Sequence, residues 1–222
     1  MSFAINPGTS LALVGWNPGD DREFFTLDEL KEAFSLEGLS KSPALVDHNK
    51  LRWMNAEYIR KLDGADYFEK ALPWLEKAGV GEIASREGNA DILIRILQPR
   101  TEIFSDIAET VGFLAEMDEG YDVELFTNKK SKTNPEICRG ILADVIPQLS
   151  ELPEWTETAL HDFLIGYAEK KEMKNGTLLW PVRIALSGRS VTPGGAIEIA
   201  ALLGKDEAMR RLELGLEKLG NA

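Results

Sequence analysis

The 222-residue chain is poor in the residue types that most enzyme chemistry needs. It has one cysteine, Cys138, so a disulfide within the chain and a Cys-rich zinc site are excluded. Its two histidines, His48 and His161, stand in unrelated contexts with no serine, cysteine or metal-ligand partner at diagnostic spacing, and both read as structural or exposed. Neither GxGxxG nor GxxxxGKS/T occurs, so no phosphate loop is expected. No catalytic and no metal-binding residue is therefore assigned. Long apolar runs are absent too. No stretch reaches 18 apolar residues, and no basic region followed by an apolar core opens the chain, so neither a membrane span nor a signal peptide is expected. The expected location is the cytoplasm. Positive charge is also scarce, with 25 Lys and Arg against 37 Asp and Glu, a net charge of −12. Nucleic-acid binders usually carry a basic footprint, so binding to a polyanion would here demand a local basic face.

What is present is ordinary globular material, 44% hydrophobic and 28% charged, enough for one domain or two small ones with a real core. Breakers cluster at 6–8, 17–20, 79–81, 88–89, 128–135 and 188–195, with amphipathic runs between them. Thr26 with Glu29 predicts a capping box before LKEAF. Leu51, Met54, Tyr58 and Leu62 fall at helical spacing, and Tyr67, Ala71, Trp74, Leu75 and Ala78 continue it to Gly79. Two helices are predicted over 92–97 and 103–113, parted by a Gln98-Pro99-Arg100 kink. Asn134-Pro135 predicts the cap and first turn of a helix reaching Val145, and Thr156 to Tyr167 gives another. No clean alternation persists over five residues, so strands are not expected. The fold class is all-α, in two helical subdomains, 1–87 and 88–222, divided where Ser85-Arg86-Glu87-Gly88-Asn89 breaks the periodicity.

The most informative segment runs from Leu178 to Leu212, LLWPVRIALSGRSVTPGGAIEIAALLGKDEAMRRL. An apolar stretch through Pro181 and Arg183 meets a tight turn at Ser187-Gly188-Arg189. Thr192 then stands where an N-cap belongs, with Pro193 at the first helical position, so free backbone N–H groups are expected at that helix start. Gly204-Lys205-Asp206 opens a further helix. A second block, Val14 to Glu23, reads VGWNPGDDRE, followed by SKSPA at 40–44 and KLRWMNAEYIR at 50–60. Together these blocks resemble the C-terminal region of bacterial glutamyl-tRNA synthetases, where LGWxPGDDRE and PxRxALxG…TPG…ALLGKxxxxxRL recur. The opening MSFAINPGT does not match the family.

The resemblance implies a division of labour. In that family an N-terminal Rossmann-type domain with HIGH-like and KMSKR-like motifs binds ATP and carries the chemistry, and neither motif occurs here. ATP and magnesium would belong to that absent catalytic domain, leaving no cofactor for this chain. The N-terminal half resembles the middle domain that touches the inner corner of tRNA, where Lys50, Arg52, Trp53 and Arg60 are the expected contacts. Lys50, Trp53 and Arg60 fall on one helical face, although Trp53 reads equally well as a core residue. The C-terminal half resembles an anticodon-binding helical cage. Arg100 stands where discriminating members read the third anticodon base, a C in tRNA-Glu. A guanidinium donates well to the O2 and N3 acceptors of cytosine but meets N–H donors on guanine. Arg183, Thr192 and Pro193 match further anticodon contacts. Gly195 departs from the larger apolar residue usual there, Ile165 from an occasional basic one, and Ala56 from a common glycine.

The function expected is the anticodon-recognising portion of a glutamate–tRNA ligase, partnered by tRNA-Glu and by a catalytic domain in cis or in trans, and monomeric. The alternative is a free-standing synthetase-like paralogue with a protein-interaction or structural role, which the charge of −12, Gly195 and Ile165 favour. A continuous basic groove through Arg100, Arg183 and Arg189 would argue for tRNA.

Overall fold

The computed structural model describes residues 2–5, 10–13, 15–20, 22–40 and 47–220. The chain opens with a hairpin, β1 (Ser2–Ile5) against β2 (Ser10–Leu13), antiparallel with Ser2 opposite Leu13 and Ile5 opposite Ser10. Strands of four residues are too short to leave the five-residue alternation on which strand prediction relies. β1 lies in the unmatched MSFAINPGT segment; Asn6 to Thr9 lie outside the described residues, as do Val14, Asp21 and 41–46, which take in all of the SKSPA block but Ser40.

Among the described residues after the hairpin, the regular elements are helices and two isolated bridges, Trp16 with Leu39 and Asn128 with Thr133. The helices are α1 (Leu27–Ala33), α2 (His48–Arg60), α3 (Gly64–Lys77), α4 (Gly81–Ser85), α5 (Asn89–Leu97), α6 (Ile107–Ala115), α7 (Pro135–Ser150), α8 (Glu157–Lys170), α9 (Asn175–Ser187), α10 (Ala196–Leu203) and α11 (Lys205–Gly220). Short 3-10 turns occupy Gln98–Arg100, Phe104–Asp106 and Val123–Phe126. The capping box of α1 forms as expected, with Glu29 N donating to Thr26 Oγ1 at 3.2 Å and Thr26 N to Glu29 Oε2 at 2.7 Å. Asn134 caps α7 through Ile137 N at 2.8 Å, and Thr156 caps α8 through Ala159 N at 3.2 Å. α7 runs past Val145 and through Pro147, because Ile146 and Leu149 are buried and hold the last turn in place.

Besides the expected absence of strands, two expectations about helices fail. Thr192 is not an N-cap: α10 begins at Ala196, and Thr192 Oγ1 donates to Gly194 O at 2.6 Å instead of accepting from a helical N–H. The turn Thr192-Pro193-Gly194 delays the helix, and Gly195 N is taken by Glu198 Oε2 at 3.1 Å, so that donor is not free. The region 103–113 is likewise a 3-10 turn followed by α6, not one helix.

The core is a single cluster of buried apolar residues reaching from Ile59 to Leu219. It continues across the break at 85–90, where Arg86 Nη1 and Asn89 Nδ2 donate to Leu203 O and Leu202 O at the end of α10. Gln98 Nε2 donates to Ile59 O and Leu62 O, tying the end of α2 to the turn that carries Arg100. Gly188 ends α9 with φ 62°, and a Cβ there would lie 2.9 Å from the Tyr121 ring, so glycine is required twice over.

Candidate nucleic-acid interface

The end of α5, the turn 98–100, the middle of α9 and the loop before α10 enclose an open hollow of about 430 Å³, and Arg100, Arg183, Thr192 and Pro193 all line it. Residues far apart in sequence thus meet at one place. Each is fixed by the local fold. Arg100 leaves the 3-10 turn and donates from Nη1 to Ile96 O at 3.0 Å. Arg183 projects from α9, stacks over the Trp180 ring at 4.7 Å, and donates to Ser190 O at 2.9 Å and Thr192 Oγ1 at 3.5 Å. Desolvation by these neighbours lowers its pKa, but an arginine stays charged at any working pH. Pro193 is buried and forms a rigid wall. Arg95 completes the rim, so three guanidinium groups face one lining carboxylate, Glu198. In a chain of net charge −12, that is a local reversal of sign.

Arg189 does not join this hollow. It packs over Phe113 at 5.4 Å and donates to Glu109 O at 3.3 Å. Arg52 comes closer than its sequence distance suggests. A neighbouring hollow of about 210 Å³ is lined by Arg52 and Arg100 together with Glu102 and Asp106. Those acids clamp Arg52, with Nε 2.9 Å from Glu102 and Nη2 2.5 Å from Asp106, and they raise its pKa. The other expected contacts on α2 line neither of these two hollows. Lys50 pairs with Glu23 at 2.5 Å, Arg60 pairs with Glu57, and Trp53 is 45% exposed, its ring edge-on to Phe24 at 5.3 Å. Trp53 is therefore not a core residue.

The anticodon binding domain family matches residues 57–216, a span that holds Arg60, Arg100, Arg183, Thr192 and Pro193. The chain belongs to that family. Among curated relatives, the glutamate–tRNA ligase of Clostridium novyi (strain NT) is 43% identical over 216 residues, covering 96% of this chain and 43% of the relative. That of Lachnoclostridium phytofermentans is 40% identical over 212 residues, covering 96% and 42%. The chain spans less than half the length of the relatives it matches. The crystal structure of a glutamate–tRNA synthetase from Elizabethkingia anophelis superposes with a TM-score of 0.72 at 19% identity, over 98% of this chain and 45% of that one. A glutamate tRNA ligase from Elizabethkingia meningosepticum gives 0.71 at 19% identity, over 99% and 45%. These two likenesses establish the fold.

Within this anticodon-binding fold, two arginines matter that the sequence reading passed over. Arg95 is the third cation of the hollow. It lies five residues before Arg100, and its partner Glu157, 2.5 Å away, comes from α8, which no local pattern reveals. Arg211 is 1% exposed and donates to Phe113 O, Leu114 O and Leu186 O at 2.8 to 3.0 Å, capping the ends of α6 and α9. Its signal was available twice, since it is the arginine of the ALLGKxxxxxRL pattern and since Ala208, Arg211, Leu212, Gly215 and Leu219 form the buried stripe of α11. The described residues of the VGWNPGDDRE block make local turn bonds and one bond to Ser35. Asn17 Oδ1 accepts from Gly19 N at 2.7 Å, Asp20 Oδ1 from Arg22 N at 3.0 Å, and Trp16 Nε1 donates to Ser35 O at 3.1 Å.

Proposed function

We propose that this chain is the tRNA-binding, anticodon-recognising portion of a glutamate–tRNA ligase, positioning tRNA-Glu for aminoacylation by a Rossmann-type domain in cis or in trans. It performs no chemistry itself, because ATP, magnesium and glutamate belong with that other domain. It works in the cytoplasm as a monomer. The observation that carries this reading is the meeting of Arg100, Arg183, Thr192 and Pro193 around one cationic hollow. A splayed anticodon base fits such a place: arginines supply donors and neutralise the flanking phosphates, and the rigid Thr192-Pro193 turn supplies an apolar wall and a hydroxyl. Arg100 is the reader of the third base, donating to cytosine and rejecting guanine.

One observation favours the alternative, a paralogue whose surface serves protein contacts. Lys50, Arg52 and Arg60 are each held by an acidic neighbour, which leaves the α2 side with little free positive charge. Binding of the purified chain to tRNA-Glu and tRNA-Gln transcripts across a salt series separates the two readings. The anticodon reading expects preference for tRNA-Glu, with log Kd rising against log salt at a slope of about 2, the value for three phosphates at roughly 0.7 each. Equal or absent binding of both at low salt favours the paralogue.

A further inference from the structure

We propose that Arg95 carries the phosphate that joins two adjacent nucleotides of the bound loop, whose bases occupy the hollows on either side of it. The proposal rests on the anticodon reading above and adds to it a second base site and the residue that bridges the two. Arg95 lines the hollow of Arg100 and Arg183, and it also lines a second hollow of about 400 Å³ bounded by Asn89, Ile92, Trp155 and Thr156. Arg100 occupies the corresponding junction on the other side, shared between its hollow and that of Arg52. Three hollows thus lie in sequence with an arginine at each junction, the order in which a single strand alternates bases and phosphates.

The second hollow suits a base and not a phosphate. Its charged lining residues besides Arg95 are Glu87, Asp91 and Glu157, which repel an anion and accept from base amino groups, while Trp155 and Ile92 offer apolar surface. A backbone whose base enters there must therefore carry its phosphate past Arg95. That guanidinium can serve by exchanging partners. It is 56% exposed, and its partner among the described residues is the Glu157 carboxylate. Glu157 lies in the first turn of α8, where the helix N-terminus stabilises it without a cation, so exchange of Arg95 from carboxylate to phosphate leaves no buried charge behind. Arg52 is instead held by two acids, and Arg211 is buried.

The test uses the full chain and an anticodon stem–loop of tRNA-Glu, intact or with single loop phosphates replaced by neutral methylphosphonates. Arg95→Ala is expected to weaken binding about tenfold, by the same factor for the natural loop and for one with G at the third anticodon position. It should lower the salt slope by about 0.7. Arg95→Lys retains most of the slope, and Glu157→Gln, which releases Arg95, binds about threefold tighter. One methylphosphonate weakens the wild type and leaves Arg95→Ala unchanged. If Arg95→Ala binds like the wild type, or every methylphosphonate penalises both proteins equally, the bridging role is wrong while the anticodon reading stands. If the wild type itself does not prefer the natural loop, the anticodon reading fails and the role of Arg95 with it.

Discussion

Arg211 shows what holds the candidate site in shape. Its guanidinium is buried at the point where α6 and α9 end, and it satisfies three carbonyls that lack helical partners, while Nε meets Glu207 at 2.6 Å. α9 carries Arg183, so loss of this cap reaches the hollow. Arg211→Met is expected to cost roughly 3–5 kcal/mol, because it strands buried acceptors. Thermal melting should register the loss as a Tm lower by about 10 °C. Glu207 is held from 4.5 to about 2, by Arg210 first and then by Arg211. A depressed carboxylate contributes stability that is complete above the ordinary value and disappears as pH falls toward 2. Glu207→Gln should therefore melt lower than the wild type at pH 7, with the gap closing between about pH 4.5 and 2. A gap that persists at pH 2 would point to packing and not to charge. The sequence shows Arg210 and Arg211 as a basic pair; the arginine of the ALLGKxxxxxRL pattern falls on Arg211, and the buried stripe of α11 gives the physical reason.

Helix boundaries were legible wherever a short polar side chain makes a local bond. Thr26, Asn134 and Thr156 cap within three residues of themselves, so their geometry is written in adjacent letters. Asn134→Ala is expected to cost about 1 kcal/mol, measurable by denaturant unfolding. The N-terminal hairpin and the start of α10 were not legible in this way. Thr192-Pro193 has the letters of a helix start, but Thr192 Oγ1 turns to Gly194 O and Glu198 reaches back to Gly195 N. The same geometry makes Gly195 replaceable. Its φ of −84° suits any residue, and a Cβ would meet the movable end of Glu198 at 2.9 Å. Gly195→Leu is expected to fold with a change under about 1 kcal/mol and to bind the anticodon loop about threefold tighter through added apolar contact. Weaker binding by the folded variant would show that no base packs against this loop.

Net charge and fold class describe the whole chain, and each conceals something local. A charge of −12 gave no hint that three arginines converge, since that depends on α5, α9 and the 98–100 turn being packed together. The sequence blocks did pick out Arg100, Arg183, Thr192 and Pro193 through resemblance, but not that Arg95 joins them or that Arg52 lies one hollow away. A continuous core from Ile59 to Leu219 backs the elements that carry the hollow. Base readout by an arginine makes a sharp demand on affinity. The most direct measurement is the ratio of dissociation constants for tRNA-Glu and for the same tRNA with its third anticodon base changed from C to G, in the wild type and in Arg100→Gln. The expected ratio for the wild type is about tenfold or more, in line with roughly 1–3 kcal/mol for one base contact, and it should fall near one in Arg100→Gln. A ratio near one in the wild type, or one that survives the substitution intact, contradicts the account.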